Sequence, residues 1–197
     1  MLKDSHSIIV KQIKEGQSVL DLGCGDGSLL ERLQKEKNCK GYGIEINADL
    51  VQSCLKKGLN VYQGDILESL ACFKDNHFDV VLLSQTLQQT QQPLDIMNEM
   101  CRAADIAIVT FPNFAYWKCR LDLLRGYIPR SKTLPFEWHD TPNTRVVSIK
   151  SFRKVCADQR FDILKEEAMF ANSWKKLLPL PSNLLAEKAL FIIKKGP

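Results

Sequence analysis

The turn at residues 21–27 constrains this chain more than any other stretch. Ser18 to Leu22 reads as a short buried strand, glycines follow at positions 23, 25 and 27, and an apolar helical pattern begins at Leu29. In that helix Leu29, Leu30 and Leu33 face inward, while Glu31, Arg32, Lys35 and Glu36 face outward. Strand, glycine turn and helix make the first half of a nucleotide-binding βαβ unit. The glycines let the backbone approach a ligand where a Cβ would collide.

The acids of the turn bear on which ligand that is. A dinucleotide loop aims bare N–H groups and a positive helix end at a diphosphate. Here Asp21 ends the strand and Asp26 lies between two glycines. Two carboxylates repel a diphosphate and suit a ligand carrying an ammonium, such as the methionine part of S-adenosylmethionine. A G-x-G-x-x-G fingerprint also requires glycine at position 28, which is Ser28. Asp21, Gly23, Cys24, Gly25 and Asp26 are therefore candidate cofactor contacts. An ordinary strand-to-helix turn and a dehydrogenase loop are the competing readings of the same stretch.

Further acids follow at the ends of the next strands. Lys40 to Ile46 reads as a second strand, and Glu45 lies 20 residues beyond Gly25, where βαβ geometry brings an acid to ribose hydroxyls. An ionised carboxylate can accept from two vicinal hydroxyls, with Ile46 beside it. Asn47 caps a helix with Leu50, Val51, Cys54 and Leu55 on one face and Gly58 at its end. Asn60 to Tyr62 is a third strand, and Asp65-Ile66 after it suits adenine, the acid accepting from the amine and Ile66 packing on the ring. Phe78 to Leu83 is a continuous apolar run of buried parallel type, with Asp79 read as structural. Ser84, Gln85 and the polar run to Gln92 should line the site at the carboxyl edge. A helix from Pro93, with Leu94, Met97 and Cys101 on one face, and a strand from Ala104 to Phe111 complete the alternation.

Residues 112–147 break this rhythm. A short helix with Trp117, Leu121 and Leu124 on one side ends at Gly126, and a Pro-rich, aromatic segment containing Phe136-Glu137-Trp138-His139-Asp140 follows. It is too long for a simple connection, and it reads as an aromatic cap or a partner-binding insert. Beyond it a helix starts at Ser148, with Ile149, Phe152, Val155 and Cys156 inward. Two closing strands, Phe161 to Ala168 and Lys188 to Ile193, are separated by Trp174 and a Pro179-Leu180-Pro181 bend. At the start of the chain, residues 4–15 read as a short amphipathic helix. The expected fold is one α/β domain over residues 1–197, with a doubly wound, mostly parallel sheet.

Composition sets the class. The chain has 197 residues, 45% of them apolar and 25% charged, ordinary values for a globular domain with one sizeable core. No apolar run approaches the ~20 residues of a membrane span, and the polar Met1 to His6 segment lacks a secretory apolar region, so the expected location is cytoplasmic. Seven cysteines without a C-x-x-C pair fit reduced structural thiols rather than a disulfide framework or a zinc site, and no metal site is expected.

In order and spacing, Asp21, Gly23, Gly25, Asp26 and Gly27, then Glu45, then Asp65-Ile66, resemble the class I S-adenosylmethionine-dependent methyltransferases. That resemblance implies a Rossmann-like, seven-stranded sheet with an antiparallel last strand. A narrower match covers nearly the whole chain. Ser84-Gln85-Thr86-Leu87-Gln88, Phe111-Pro112-Asn113-Phe114, Leu134-Pro135-Phe136-Glu137-Trp138, Thr141-Pro142-Asn143 and Pro181-Ser182-Asn183-Leu184-Leu185-Ala186-Glu187 are similar to the MetW family of methionine biosynthesis proteins. The chain departs from the family pattern at His139 and at Thr144-Arg145.

This resemblance implies a protein that holds S-adenosylmethionine or S-adenosylhomocysteine and works beside homoserine O-acyltransferase, an acetyl- or succinyltransferase, as partner or regulator. The alternative is an active methyltransferase on a small molecule. A hydroxyl acceptor then needs a base, for which His139 is the candidate, with a plain surface-loop histidine as the other reading. Nucleic-acid methylation is a third class. Lys118, Arg120, Arg125, Arg130, Lys132 and Arg145 outnumber Asp122, Glu137 and Asp140 in the insert, but the excess is small and suits a solvated or partner-facing surface better.

Overall fold

A computed structural model describes residues 5–170 and 181–196 of the chain. In chain order the elements are α1 (Ser5–Val10), β1 (Ser18–Leu22), α2 (Ser28–Lys37), β2 (Lys40–Glu45), α3 (Ala48–Lys56), β3 (Asn60–Gln63), α4 (Ile66–Ala71), β4 (Phe78–Ser84), α5 (Pro93–Ala103), β5 (Ala104–Pro112), α6 (Trp117–Leu124), α7 (Ile149–Asp158), β6 (Phe161–Met169), α8 (Ser182–Leu185) and β7 (Lys188–Lys195). The strands form one seven-stranded sheet in the order β3-β2-β1-β4-β5-β7-β6. β1 to β5 run parallel, and β7 is antiparallel to both of its neighbours. The expected doubly wound sheet with an antiparallel last strand is what the chain forms.

Two apolar layers follow from alternation along the strands. Leu20, Leu22, Val81, Leu83, Val109 and Phe111 pack on one face against Met97 and Met100 of α5 and Ile149 and Phe152 of α7. On the other face Val19, Val80, Leu82 and Ile108 pack against Ile8 and Ile9 of α1 and Leu29 and Leu33 of α2. A period-2 strand buried on both sides reads as a continuous apolar run, which explains Phe78 to Leu83. At the junction of α2 and α3, Gly27 adopts φ +75°, and a Cβ there would come within 2.4 Å of Leu59 Cδ1. Only glycine gives both this backbone and this approach.

Several local expectations are corrected. The first helix stops at Val10 rather than continuing to residue 15, although Ile13 remains buried. Helices α4 and α8 were not anticipated; in the first, Asp65 caps the helix in addition to facing the site. Leu55, Leu94 and Leu124, expected on inner faces, are exposed. On α5 the buried stripe runs through Ile96, Met97, Met100 and Cys101, and on α6 Cys119 is the buried residue. On α6, among the described residues, Cys119 packs in a small cluster with Tyr116 and Leu134, with Phe114 beside it. Trp174 and the Pro179-Leu180 part of the expected bend lie outside the described residues.

The central pair of strands is locked at its start. Asp79 Oδ2 accepts from the Ser18 backbone N–H at 2.6 Å and from the Ser18 hydroxyl at 2.7 Å, while the Asp79 N–H donates back to Ser18 Oγ at 3.0 Å. The Ser18 side-chain bond, then its backbone bond, hold the Asp79 carboxyl below the usual carboxylate range. A depressed carboxylate contributes stability above its unfolded pKa and loses it as pH falls through the folded value. Asp79→Ala should therefore lower stability by about 1–2 kcal/mol at neutral pH. The gap to wild type should close as denaturant melts are taken down through pH 4 and below; a gap independent of pH would refute this account.

Candidate functional site

The strand order reverses between β1 and β4, and a cavity of 710 Å³ opens at the carboxyl edge of that region. In open α/β sheets such a switch point is where ligands bind. The cavity is assembled from loops after four consecutive parallel strands. Gly23 and Gly25 come from the β1 turn, Glu45 and Ile46 from the end of β2, Gly64, Asp65 and Ile66 from the end of β3, and Ser84 and Gln85 from the end of β4.

The central feature is the Glu45 carboxylate. Its Oε2 accepts from the Gly25 backbone N–H at 2.9 Å, and its Oε1 accepts from the Asn47 N–H at 3.0 Å. The side chain is nearly buried yet lines the cavity, with its orientation fixed by the backbone on both sides. Each carboxylate oxygen keeps a second acceptor position. Four further amides of the turn are also used internally. Gly23 and Cys24 N–H groups donate to Ile44 O, Gly27 N–H to Cys24 O, and Ser28 N–H to Asp26 Oδ1. A diphosphate loop presents those amides to its ligand. This turn presents a carboxylate instead, which counts against the dehydrogenase reading.

Gly25 completes the cradle. Its φ is +59°, and a Cβ built on it meets nothing within 4 Å, so the open space in front of it is the cleft itself. Asp65 caps α4 by accepting from Leu67 and Glu68 N–H groups through Oδ1, which leaves Oδ2 for a donor in the cavity. Beside it Ile46 lines the cavity with 71% of its surface exposed.

Asp21, Cys24 and Asp26 are not among the cavity-lining residues. Asp21 is buried at the end of β1, with Oδ1 enclosed and without a hydrogen-bond partner. Burial first, and the Glu45 charge second, push its pKa up to about 7. Cys24 turns inward to Leu30, Cys54 and Leu59. Asp26 turns outward, where its Oδ2 accepts from Lys57 Nζ at 3.2 Å and its Oδ1 from Ser28 N–H; the Ser28 bonds chiefly hold its carboxyl below the usual range. The candidate base His139 is exposed on the insert and does not line the cavity.

The cavity also includes residues that were not singled out individually. Thr86, Gln89, Thr90, Gln91 and Gln92 extend the polar wall expected after β4, and Leu50, Leu67 and Ile96 add apolar surface. The signal for the last three was available, since each lies in the first turn of a helix that begins at the carboxyl edge. Gln85 adopts φ +58°, a conformation costly for a side chain of its size. Its N–H donates to Thr110 O and Thr110 Oγ1, and its Nε2 also donates to that hydroxyl. These bonds hold the sharp exit from β4 that turns the polar wall toward the cleft. The ionisable groups among the lining residues are Glu45 and Asp65. Among the described residues there is no group of three or more His, Cys, Asp or Glu placed to hold a metal, and no helix long and apolar enough to cross a membrane.

Comparison with known proteins agrees with this architecture. In solved structures, a SAM dependent methyltransferase from Archaeoglobus fulgidus matches with a TM-score of 0.70 at 20% identity, over 98% of this chain and 96% of that one. Phosphoethanolamine N-methyltransferase 2 of Haemonchus contortus, in complex with S-adenosyl-L-methionine, matches with a TM-score of 0.67 at 14% identity, over 98% of this chain and 52% of that one. At such identities the likeness shows the fold, which is that of the class I methyltransferases. In sequence, the bifunctional methionine biosynthesis protein MetXA/MetW of Rhodopirellula baltica is 33% identical over 177 residues, 85% of this chain. The chain spans only 28% of that relative's length. The family model described as methionine biosynthesis protein MetW matches residues 3–193. With that match over almost its whole length, the chain belongs to the MetW family of methionine biosynthesis proteins.

Proposed function

We propose that the cavity holds S-adenosylmethionine or S-adenosylhomocysteine, and that the protein serves methionine biosynthesis in the cytoplasm as a partner or regulator of homoserine O-acyltransferase. The observation that carries the ligand reading is the clamped Glu45 carboxylate, in a turn where the N–H groups of Gly23, Cys24, Gly25, Gly27 and Ser28 are all bonded internally. Glu45 would accept from the two ribose hydroxyls, Asp65 Oδ2 from the adenine amine, and Ile46 and Ile66 would cover the adenine ring. Gly25 leaves room for the ligand to pass over the turn, and the buried negative potential of Asp21 and Glu45 favours its cationic end. Support for the partner comes from family membership and from the Rhodopirellula baltica relative, whose name joins MetXA and MetW in one polypeptide.

A second reading, methyl transfer to a small molecule, draws on the hydroxyl and amide groups of Ser84 to Gln92, which can orient an acceptor by proximity. When bound, S-adenosylmethionine supplies an electrophilic methyl group on its sulfonium. Among the described residues, no lining residue outside the proposed adenosine contacts is ionisable, so these walls offer an acceptor no general base. An acceptor must then arrive already nucleophilic. Labelled-methyl release on a metabolite panel should be absent for alcohols, and turnover of a hydroxyl acceptor would oppose this assignment.

Titration calorimetry tests the ligand. S-adenosylhomocysteine should bind and a nicotinamide dinucleotide should not. Glu45→Gln replaces one acceptor oxygen with a donor that faces an N–H group, so affinity should fall by about 10- to 100-fold, as for loss of a charged hydrogen bond. Equal affinity of Glu45→Gln and wild type would remove Glu45 from the site.

Asp21 adds a pH signature. It is half protonated near pH 7 without ligand, and a cationic ligand favours its carboxylate. S-adenosylmethionine binding should therefore tighten as pH rises through 7, with proton release, and Asp21→Asn should flatten the profile. Binding measured in buffers of different ionisation enthalpy reads this directly; an unchanged slope in Asp21→Asn would assign the proton elsewhere.

A further inference from the structure

The insert carries apolar surface that its own packing does not use. At the end of α6 and just beyond it, Leu124 is 85% exposed and Tyr127 is 70% exposed, with Leu123 and Ile128 more than half exposed. The chain is held tightly here, with Gly126 N–H donating to Leu123 O and Tyr127 N–H to Asp122 O, both at 2.9 Å. The Pro-rich loop is fastened alongside. Arg130 N–H donates to Asp122 Oδ2, and the Arg130 guanidinium pairs with Glu137 and donates to Pro135 O. Glu137 lies between Phe136 and Trp138, which is 71% exposed. These bonds gather two aromatic-bearing segments beside the aliphatic end of α6. None of these apolar residues lines the cavity, so the insert does not use them to wall an acceptor pocket.

Exposed aliphatic side chains with Trp and Tyr, on segments bonded to one another through Asp122, Arg130 and Glu137, have the composition of a protein interface, whose strongest contacts are aromatic anchors. Arg125, which follows Leu124 directly, and Lys132 of the Pro-rich loop are exposed, and Lys118 lies 5.8 Å over the Trp117 ring. We propose that Leu124, Tyr127, Ile128 and Trp138 form the docking surface for homoserine O-acyltransferase, which meets it with an apolar socket rimmed by acidic side chains. The proposal rests on the partnership stated above. The joined relative favours this occupant over a second copy, and the apolar centre favours protein over nucleic acid, whose backbone needs a basic surface.

The platform is tied to the ligand cavity. Thr144 and Arg145 N–H groups both donate to Gln88 O, at 2.9 and 3.0 Å, and Arg145 Nη2 donates to Gln91 O at 2.8 Å. Gln88 lies inside the polar wall formed by Gln85, Thr86, Gln89 and Gln91. The loop that would touch ligand is thus hydrogen-bonded to the segment that closes the insert.

The test uses the full chain and homoserine O-acyltransferase purified from the same organism, with binding measured by calorimetry and assembly by analytical ultracentrifugation. Leu124→Asp with Tyr127→Asp, at positions too exposed to unfold the chain, should weaken the complex at least tenfold. Leu164→Asp, on the exposed part of edge strand β6, should leave it unchanged, and circular dichroism confirms folding of each variant. Wild-type binding with equal affinity in the insert variant would overturn the surface while leaving the partnership intact. No wild-type binding would overturn the partnership and the surface with it. Self-association, or a shift of RNA, that is lost in the insert variant would assign the patch to another occupant and overturn the proposal.

Discussion

The Glu45 side chain closes two bonds at once, to Gly25 N–H in the turn after β1 and to Asn47 N–H at the start of α3. The arrangement of the cleft follows from this. Its carboxylate ties the ends of two adjacent parallel strands, sets the path of the glycine turn, and faces the cavity with acceptor capacity to spare. A glutamine could satisfy one of those amides but would oppose the other. The turn is thereby committed to presenting negative charge, in a position where related architectures present bare N–H groups to phosphate.

That commitment has an electrostatic cost carried by Asp21. A carboxyl whose pKa is raised by burial holds its proton more tightly in the folded chain than in the unfolded one. Stability then declines as pH climbs from the ordinary carboxylate range toward about 7, and the whole penalty is present above it. Two acids placed back to back behind an open cleft are arrangements that folding alone would not select. They make sense at a site where a ligand supplies the missing positive charge and donors.

Much of this was legible in the sequence, for identifiable reasons. Strand β4 announced itself because burial on both faces removes polar residues from the run. The caps Asn47 and Ser148, and Pro93 at a first helical turn, were readable from local chemistry alone. Glu45, Asp65-Ile66 and Ser84-Gln85 followed from their positions after successive strands. The direction of a side chain within a turn was not readable. Asp21 and Asp26 look equivalent in sequence, yet one lies buried beneath the site and the other pairs with Lys57, because that choice depends on α3 packing against the turn. Periodicity likewise identified α5 and α6 as amphipathic, but which stripe is buried depends on neighbours distant in sequence. Helix α4 was missed because Asp65, which lines the cavity, also caps that helix, and the cap was hidden behind the expected adenine role.

The insert is anchored close to its two ends. Phe114 N–H donates to Val147 O, and Asn113 reaches Asn183 O and Ala186 O through its side chain and Glu187 O through its backbone. Thr144 and Arg145 fasten the return to Gln88. Between these staples the chain is pinned again where Thr133 Oγ1 donates to Glu187 O and Leu134 packs with Tyr116 and Cys119, and lengthening a loop whose ends already meet costs little, about 0.6 kcal/mol per doubling. The strand register therefore does not depend on the length of the segment between residues 118 and 140, and a change of length there is expected to leave the sheet and the cleft in place.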